Sequence, residues 1–348
     1  MLFVATGLLV MVMVAATAIR FCVVFPVQPF TGQVSALDDS ARAMALRLET
    51  HVRAVASRPH NLDHPEALEA SADYIEQTLR DLGYTLKPQA YRVGSAEVRN
   101  IEVLIEPAVA STEKTKTLIV GAHYDSPGDS PGANDNGTGV AALLELARGL
   151  KNLRSNHRLR LVFFVNEEHP YGKTPDMGSY QHAKAMRDTG EQVVGMIALE
   201  TLGHFSDKPG SQRFPFPFGW IYPDRGNFVA FVGMPRARSF VNRCVTNFRA
   251  TTPFPAIGGV APARVEGIDL SDHWAYDHFG FPACMATDTA PFRNPFYHSP
   301  LDTPDTVDYT NLARVTTGLE TMVRGLACEA QQTPLISVPQ IKKPNPTL

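Results

Sequence analysis

The sequence predicts an α/β fold, a single globular domain with a mixed, mainly parallel sheet flanked by helices. Three observations carry this. Apolar runs of strand length, such as Thr117–Ala122, Arg158–Val165 and Gln192–Leu199, read as strands buried on both faces. Segments with helical apolar spacing alternate with them, the pattern of a parallel sheet covered on both sides. With 348 residues, 44% hydrophobic and 19% charged, the chain can bury a substantial core and is neither disordered nor fibrous.

Taken in order, residues 2–19 run without a charge and are followed by Arg20, a length at the short end of a membrane span. Ala16-Thr17-Ala18 has the small-x-small form of a cleavage site, yet no Lys or Arg precedes the apolar run as a signal peptide requires. Residues 1–30 are therefore expected to be a signal peptide or a membrane anchor. That places the protein at the periplasmic or extracellular side, exported or tethered through residues 2–19. A globular domain is expected over 37–330 and a Pro-rich tail over 333–348.

Within the domain, Ala41, Met44, Ala45, Leu48, Val52 and Val55 recur at helical spacing after a polar start, and Pro59 ends that helix. Pro65 opens a second helix that stops at Gly83. Strands are expected at Tyr84–Val93, Asn100–Ile105, Thr117–Ala122, Arg158–Val165 and Gln192–Leu199, with helices over Gly137–Leu150 and Ser179–Asp188. Residues 205–265, rich in Pro, Phe and Gly, read as an irregular excursion that could wall a pocket, and Val315–Ala327 as a closing helix.

Charge and cysteine content exclude several functions. Thirty-two basic and 35 acidic residues give a net charge of −3 with no basic stripe, so nucleic acid is not an expected partner. Four cysteines lack metal-finger spacing and are too few for a disulfide scaffold. Cys244 and Cys284 could pair in an oxidising compartment.

The chemistry-bearing residues stand where strands end. Val120-Gly121-Ala122 leads into His123-Tyr124-Asp125, whose His and Asp share one side of an extended chain, as suits a metal-binding imidazole with a carboxylate nearby. Asp135 sits in the glycine-rich turn Gly132–Gly139 before a helix, as an N-cap or as a carboxylate aimed inward. The apolar strand ending at Val165 runs into Asn166-Glu167-Glu168, a solvated loop in the plain reading, but ligands bind at the carboxyl ends of such strands. Glu200 ends its strand in the same way, and Tyr297-His298 adds a second imidazole with Asp302 four residues on. His123, Asp135, Glu168, Glu200 and His298 make a two-His, three-carboxylate set suited to zinc. Two ions bridged by one carboxylate would activate a water and polarise a carbonyl, leaving Glu167 as general base and acid.

The order His-x-Asp, Gly-Ala-x-Asp-Asn-Gly-x-Gly, Glu-Glu, an acid after a strand, then Tyr-His-x-x-x-Asp resembles the zinc-dependent aminopeptidase family. Its relatives include bacterial secreted leucyl aminopeptidases, glutamate carboxypeptidase II and the glutaminyl cyclases. The match spans about residues 37–330, with Arg58-Pro59-His60 early and Ser271-Asp272-His273 late. The resemblance implies two zinc ions per chain, Asp135 bridging them, His123 and Glu200 completing one, Glu168 and His298 the other. It also implies Glu167 as base and Asp125 as the partner of His123. Glu200 departs from the pattern, since many members carry Asp there, and its extra methylene moves the carboxylate.

The activity implied is metal-dependent removal of residues from the free N-terminus of peptide substrates. Arg293, Tyr297, Trp274 and Tyr276 are the expected substrate contacts, Trp274 and Tyr276 as a hydrophobic specificity wall. Alternatives are a glutaminyl cyclase-like acyltransferase with one zinc, or a non-catalytic receptor-like module of the same fold. Nothing in the sequence indicates an oligomeric state.

Overall fold

The computed structural model describes residues 2–22, 36–108 and 115–329, so the expected Pro-rich tail lies outside the described residues. Helix α1 spans Leu2–Cys22, and its last turn meets the domain where Arg238 Nε donates to the carbonyl of Phe21 at 3.1 Å. Among the described residues no helix is long and apolar enough to cross a membrane.

Helices α2 (Asp39–Val55) and α3 (Pro65–Asp81) form as their spacing requires. Asp38 caps α2 by accepting from Ala41 N–H, and proline opens α3. There follow β1 (Gln89–Val93), β2 (Ala96–Ile105), β3 (Lys116–His123), α4 (Thr138–Leu150), β4 (Arg158–Phe164), α5 (Gly178–Asp188) and β5 (Gln192–Glu200). The first strand begins at Gln89 rather than Tyr84, because Tyr84 ties the end of α3 to α4 through its hydroxyl on the carbonyl of Ala147.

The stretch 205–265 departs most from expectation. It is not wholly irregular: it contributes β6 (Val229–Gly233), α6 (Arg238–Thr251) and β7 (Ala256–Val260). Two more elements, α7 (His273–His278) and β8 (Ala283–Thr287), precede the last helix, α8, which begins at Tyr309 rather than Val315 and runs to Ala327.

The strands form one eight-stranded sheet in the order β1-β2-β4-β3-β5-β8-β6-β7. The centre β4-β3-β5-β8 is parallel, as is β6-β7, while β1-β2, β2-β4 and β8-β6 are antiparallel. The sheet is thus mixed, with parallel strands at its heart. Alternation along β3 explains why it is buried on both sides. Leu118, Val120 and Ala122 pack with α2, α4 and α8, whereas Ile119 turns to the opposite core with residues of α5 and α7. Leu118, Val120 and Ile119, each buried, contribute about 1.5–3 kcal/mol apiece. This two-sided core holds the strand ends still, which a ligand set drawn from three strands requires.

Candidate metal centre

Three neighbouring parallel strands deliver three of the acids and the first imidazole. β3 ends at His123, β4 runs out into Glu167-Glu168, and β5 ends at Glu200. His123 Nδ1 lies 3.0 Å from the main-chain carbonyl of Asp125. A carbonyl only accepts, so Nδ1 carries the proton and Nε2 presents a lone pair inward. The Asp125 carboxylate stands farther off, at 3.6 Å from the ring. Its oxygens instead accept the N–H groups of Glu167 at 3.1 Å and Glu168 at 3.2 Å, fixing the turn that aims both acids.

Asp135 comes from the glycine turn. Gly132 there has φ +69, and a Cβ would meet the carbonyl oxygen of Asp135 at 2.5 Å, so the turn closes only around glycine. Asp302 accepts from Asn134 N–H at 2.9 Å and Asp135 N–H at 3.1 Å. Asn136 ties the turn to the end of β5, donating to the carbonyl of Leu199 and accepting from Thr201 N–H.

The two oxygens of Asp135 face different partners. Oδ1 lies 3.3 Å from His123 Nε2, which is itself 3.4 Å from Glu200 Oε2. Oδ2 lies 3.0 Å from His298 Nε2, which is 3.5 Å from Glu168 Oε1. Among the described residues three triads could hold a metal ion; two of them, His123, Asp135, Glu200 and Asp135, Glu168, His298, meet at one carboxylate, and the third is His123, Glu167, Glu168. Glu167 Oε2 stands 3.9 Å from His123 Nε2, at the edge of the first triad. Three residues here hold positive φ without being glycine: Asn166, Thr201 and His298, each at or beside a member of the set. Strain of this kind persists where the surroundings impose it.

The electrostatics fit a cation. Burial, reinforced by Asp135, pushes the carboxyl of Glu200 up to about 8 and that of Glu168 up to about 7. Burial also raises Glu167 well above the usual range. His298 is opposed by burial, yet Asp135 and Glu168 draw it up to about 10. His123 Nε2 and Asp135 Oδ1 are buried without a hydrogen-bond partner, the pair of lone pairs a metal ion would take up.

All five ligand candidates and Glu167 thus come together. Tyr297 stacks on the ring of His298 at 3.8 Å and lines the adjoining cavity with Glu200. Three expected substrate contacts do not reach that cavity. Arg293 is buried, and its guanidinium serves Gln212 and the carbonyls of His204 and Phe228. Tyr276 is fully buried with its hydroxyl 2.6 Å from His182 Nδ1, and Trp274 stacks on Tyr180 and His278. Both belong to the packing of α7 on α5. Ser271, from the late Ser271-Asp272-His273 motif, donates to Glu200 Oε2 at 2.7 Å. Cys244 and Cys284 are free thiols with sulfurs 4.0 Å apart.

Comparison with known proteins bears on the fold and the family. The fold is that of the zinc aminopeptidases: an aminopeptidase from Aneurinibacillus sp. strain AM-1 superposes with a TM-score of 0.61 at 17% identity, covering 84% of this chain and 96% of that one. A glutaminyl cyclase from Fimbriiglobus ruber matches with a TM-score of 0.61 at 18% identity, covering 86% and 99%. In sequence, residues 105–323 match Peptidase family M28, and the chain belongs to that family, as a metallopeptidase. The uncharacterized protein YfbL of Escherichia coli K12 is 35% identical over 83% of this chain and 91% of its own length. A probable leucine aminopeptidase of Arthroderma otae is 28% identical over 59% of this chain, about half (53%) of its own length.

Proposed function

We propose that the protein is a zinc aminopeptidase with two metal ions and Glu167 as its general base. One observation carries the reading: the carboxylate of Asp135 divides its oxygens between His123 at 3.3 Å and His298 at 3.0 Å, the disposition a bridging ligand needs. His123 and Glu200 would complete one site, and Glu168 and His298 the other. Bound zinc supplies Lewis acidity, lowering the pKa of water and polarising the scissile carbonyl.

The protein's own groups do the rest. Glu167 lies at the edge of the cluster rather than within both triads, and burial raises its carboxyl, so it can take a proton from the attacking water and return it to the leaving amine. Asp125 holds that residue in place through its backbone N–H. Tyr297, at the boundary between cluster and cavity, is placed to touch the substrate.

The test joins metal analysis to turnover. Protein stripped by a chelator and reloaded with zinc is expected to bind two equivalents and to release the N-terminal residue from aminoacyl anilides, but not from N-acetylated ones. A second reading, a glutaminyl cyclase-like acyltransferase, rests on the Fimbriiglobus fold match. Binding of one equivalent, with cyclisation of Gln-initiated peptides, would favour it.

A further inference from the structure

The loop that carries Glu167 and Glu168 and the segment that carries Ser271 are joined by an ion pair. Lys173 Nζ lies 2.8 Å from Asp269 Oδ2, the lysine side chain half-buried and the aspartate more deeply set. Neither residue belongs to the candidate metal triads. The turn on the lysine side is built on the backbone of the two acids. Tyr171 N–H and Gly172 N–H donate to the carbonyl of Glu168 at 2.9 and 3.1 Å. Gly172 also packs on the carbonyl oxygen of Glu167, which a Cβ would approach to 2.5 Å. Lys173 itself has φ +59, in the left-handed region that glycine adopts freely and lysine does not. A lysine kept in a conformation suited to glycine points to a task for its side chain.

On the other side, the segment around Asp269 is tied to the cluster. His273 Nε2 donates to the carbonyl of Ile268 at 2.8 Å, and Ser271, two residues beyond Asp269, donates to Glu200 Oε2 at 2.7 Å. Burial holds the His273 imidazole down to about 4, so it is neutral near pH 7 and Lys173 supplies the charge that answers Asp269. A half-exposed ion pair adds little to overall stability. Here it fixes the separation of two loops, one bearing Glu167 and the other the hydrogen-bond donor to Glu200.

We propose that Lys173 and Asp269 are positioning residues, whose ion pair clasps the Glu167 loop to the Ser271 segment and so aligns Glu167 with the Glu200 end of the cluster. The proposal rests on the aminopeptidase reading for the role of Glu167, and on the ion pair and its flanking hydrogen bonds alone for the clasp. With the clasp open, the two loops shift independently, Ser271 holds Glu200 less firmly, and Glu167 loses its alignment.

Lys173→Gly separates this role from a merely structural one, because it relieves the backbone at φ +59 while removing the ammonium. Its thermal midpoint is expected within about 2 °C of wild type or above it. On leucyl and alanyl anilides, the zinc-loaded variant is expected to lose about tenfold in kcat, with KM changed by less than about threefold. Lys173→Arg, which keeps the charge, is expected to retain most of kcat. Asp269→Asn is expected to lose about as much as Lys173→Gly, and the double variant no more than either, as one shared interaction requires. Asp269→Asn serves if Lys173→Gly does not fold. The second readout needs no turnover: zinc affinity, by competition against an indicator, is expected to weaken about threefold in both single variants and not in Lys173→Arg. Wild-type kcat and zinc affinity in the folded variants, additive losses in the double variant, loss of activity in step with a lowered thermal midpoint, or no recovery in Lys173→Arg would overturn the proposal. Absence of hydrolysis by the wild type, with the zinc affinities ordered as expected, would overturn the aminopeptidase reading and leave the clasp standing.

Discussion

Asp302 accepts the backbone N–H of Asp135 at 3.1 Å through one carboxylate oxygen, and its other oxygen accepts the N–H of Asn134. The central carboxylate of the cluster is therefore aimed by a second carboxylate that touches neither imidazole. Asp302→Ala removes both acceptors from a buried turn. Loss of such a supporting partner typically costs 10–100-fold in metal affinity. The expected outcome is weaker zinc binding by about that factor, with Asp302→Asn intermediate because an amide oxygen still accepts. Competition against a zinc indicator measures it, and unaltered affinity in Asp302→Ala would show that the turn holds Asp135 unaided.

Glu167 and Glu168 are adjacent and yet differently placed. Glu168 Oε1 lies 3.5 Å from His298 Nε2 in a triad with Asp135, whereas Glu167, 3.9 Å from His123, shares a triad with His123 and Glu168 but none with Asp135. Glu167→Gln is expected to keep both metal equivalents and lose about 10²–10⁴-fold in kcat. Glu168→Gln is expected to lose metal, an amide being a poorer zinc ligand than a carboxylate. Loss of zinc from Glu167→Gln with retention in Glu168→Gln would exchange the two roles.

What the sequence revealed, and what it hid, follows from how each residue acts. His123, Glu167, Glu168 and Glu200 were legible because each follows an apolar run, and strand ends are where ligands collect in open α/β sheets. Asp135 was legible from its glycines. Asp302 and Ser271 stood within recognised motifs, but their tasks, holding a backbone N–H and a carboxylate far away in sequence, could not be read from them. The strands β6 and β7 were hidden by length and composition: five residues each, with two consecutive glycines in the second, amid a Pro- and Phe-rich stretch. Arg293, Trp274 and Tyr276 misled because proximity to a motif says nothing of direction. Arg293 answers buried carbonyls, and the two aromatic rings pack in and against the second core.

Asp135 belongs to two of the candidate triads. If its oxygens serve both triads, Asp135→Ala is expected to bring bound zinc from two equivalents to fewer than one and to abolish turnover, whereas Glu200→Ala should spare the site of Glu168 and His298. Metal counting by mass spectrometry of the intact protein distinguishes these outcomes. Asp135→Ala retaining one fully occupied, tightly bound equivalent would mean that the second triad closes without it.

Away from the site, Glu145 on α4 gives a stability prediction whose sign can be worked out. Its carboxylate is nearly fully buried and accepts from Arg47 Nε at 2.9 Å and Nη2 at 2.6 Å, and from Arg148 Nε at 3.0 Å. Burial opposes its ionisation, but His51, Arg47 and Arg148 outweigh this and hold it down to about 2. A carboxyl depressed in the folded state stabilises the fold at every pH above its ordinary value near 4.5, and that contribution is lost as pH falls from about 5 through 2. The Arg47 side chain is 38% exposed, so solvent screening reduces the full linkage value, and roughly 1–2 kcal/mol is expected. Glu145→Gln should therefore lower the urea midpoint at pH 7 and flatten its decline between pH 5 and 2 relative to wild type. Urea titrations across that range on both proteins measure the difference. Parallel pH profiles would mean that the α2–α4 ion pairs contribute nothing to acid sensitivity.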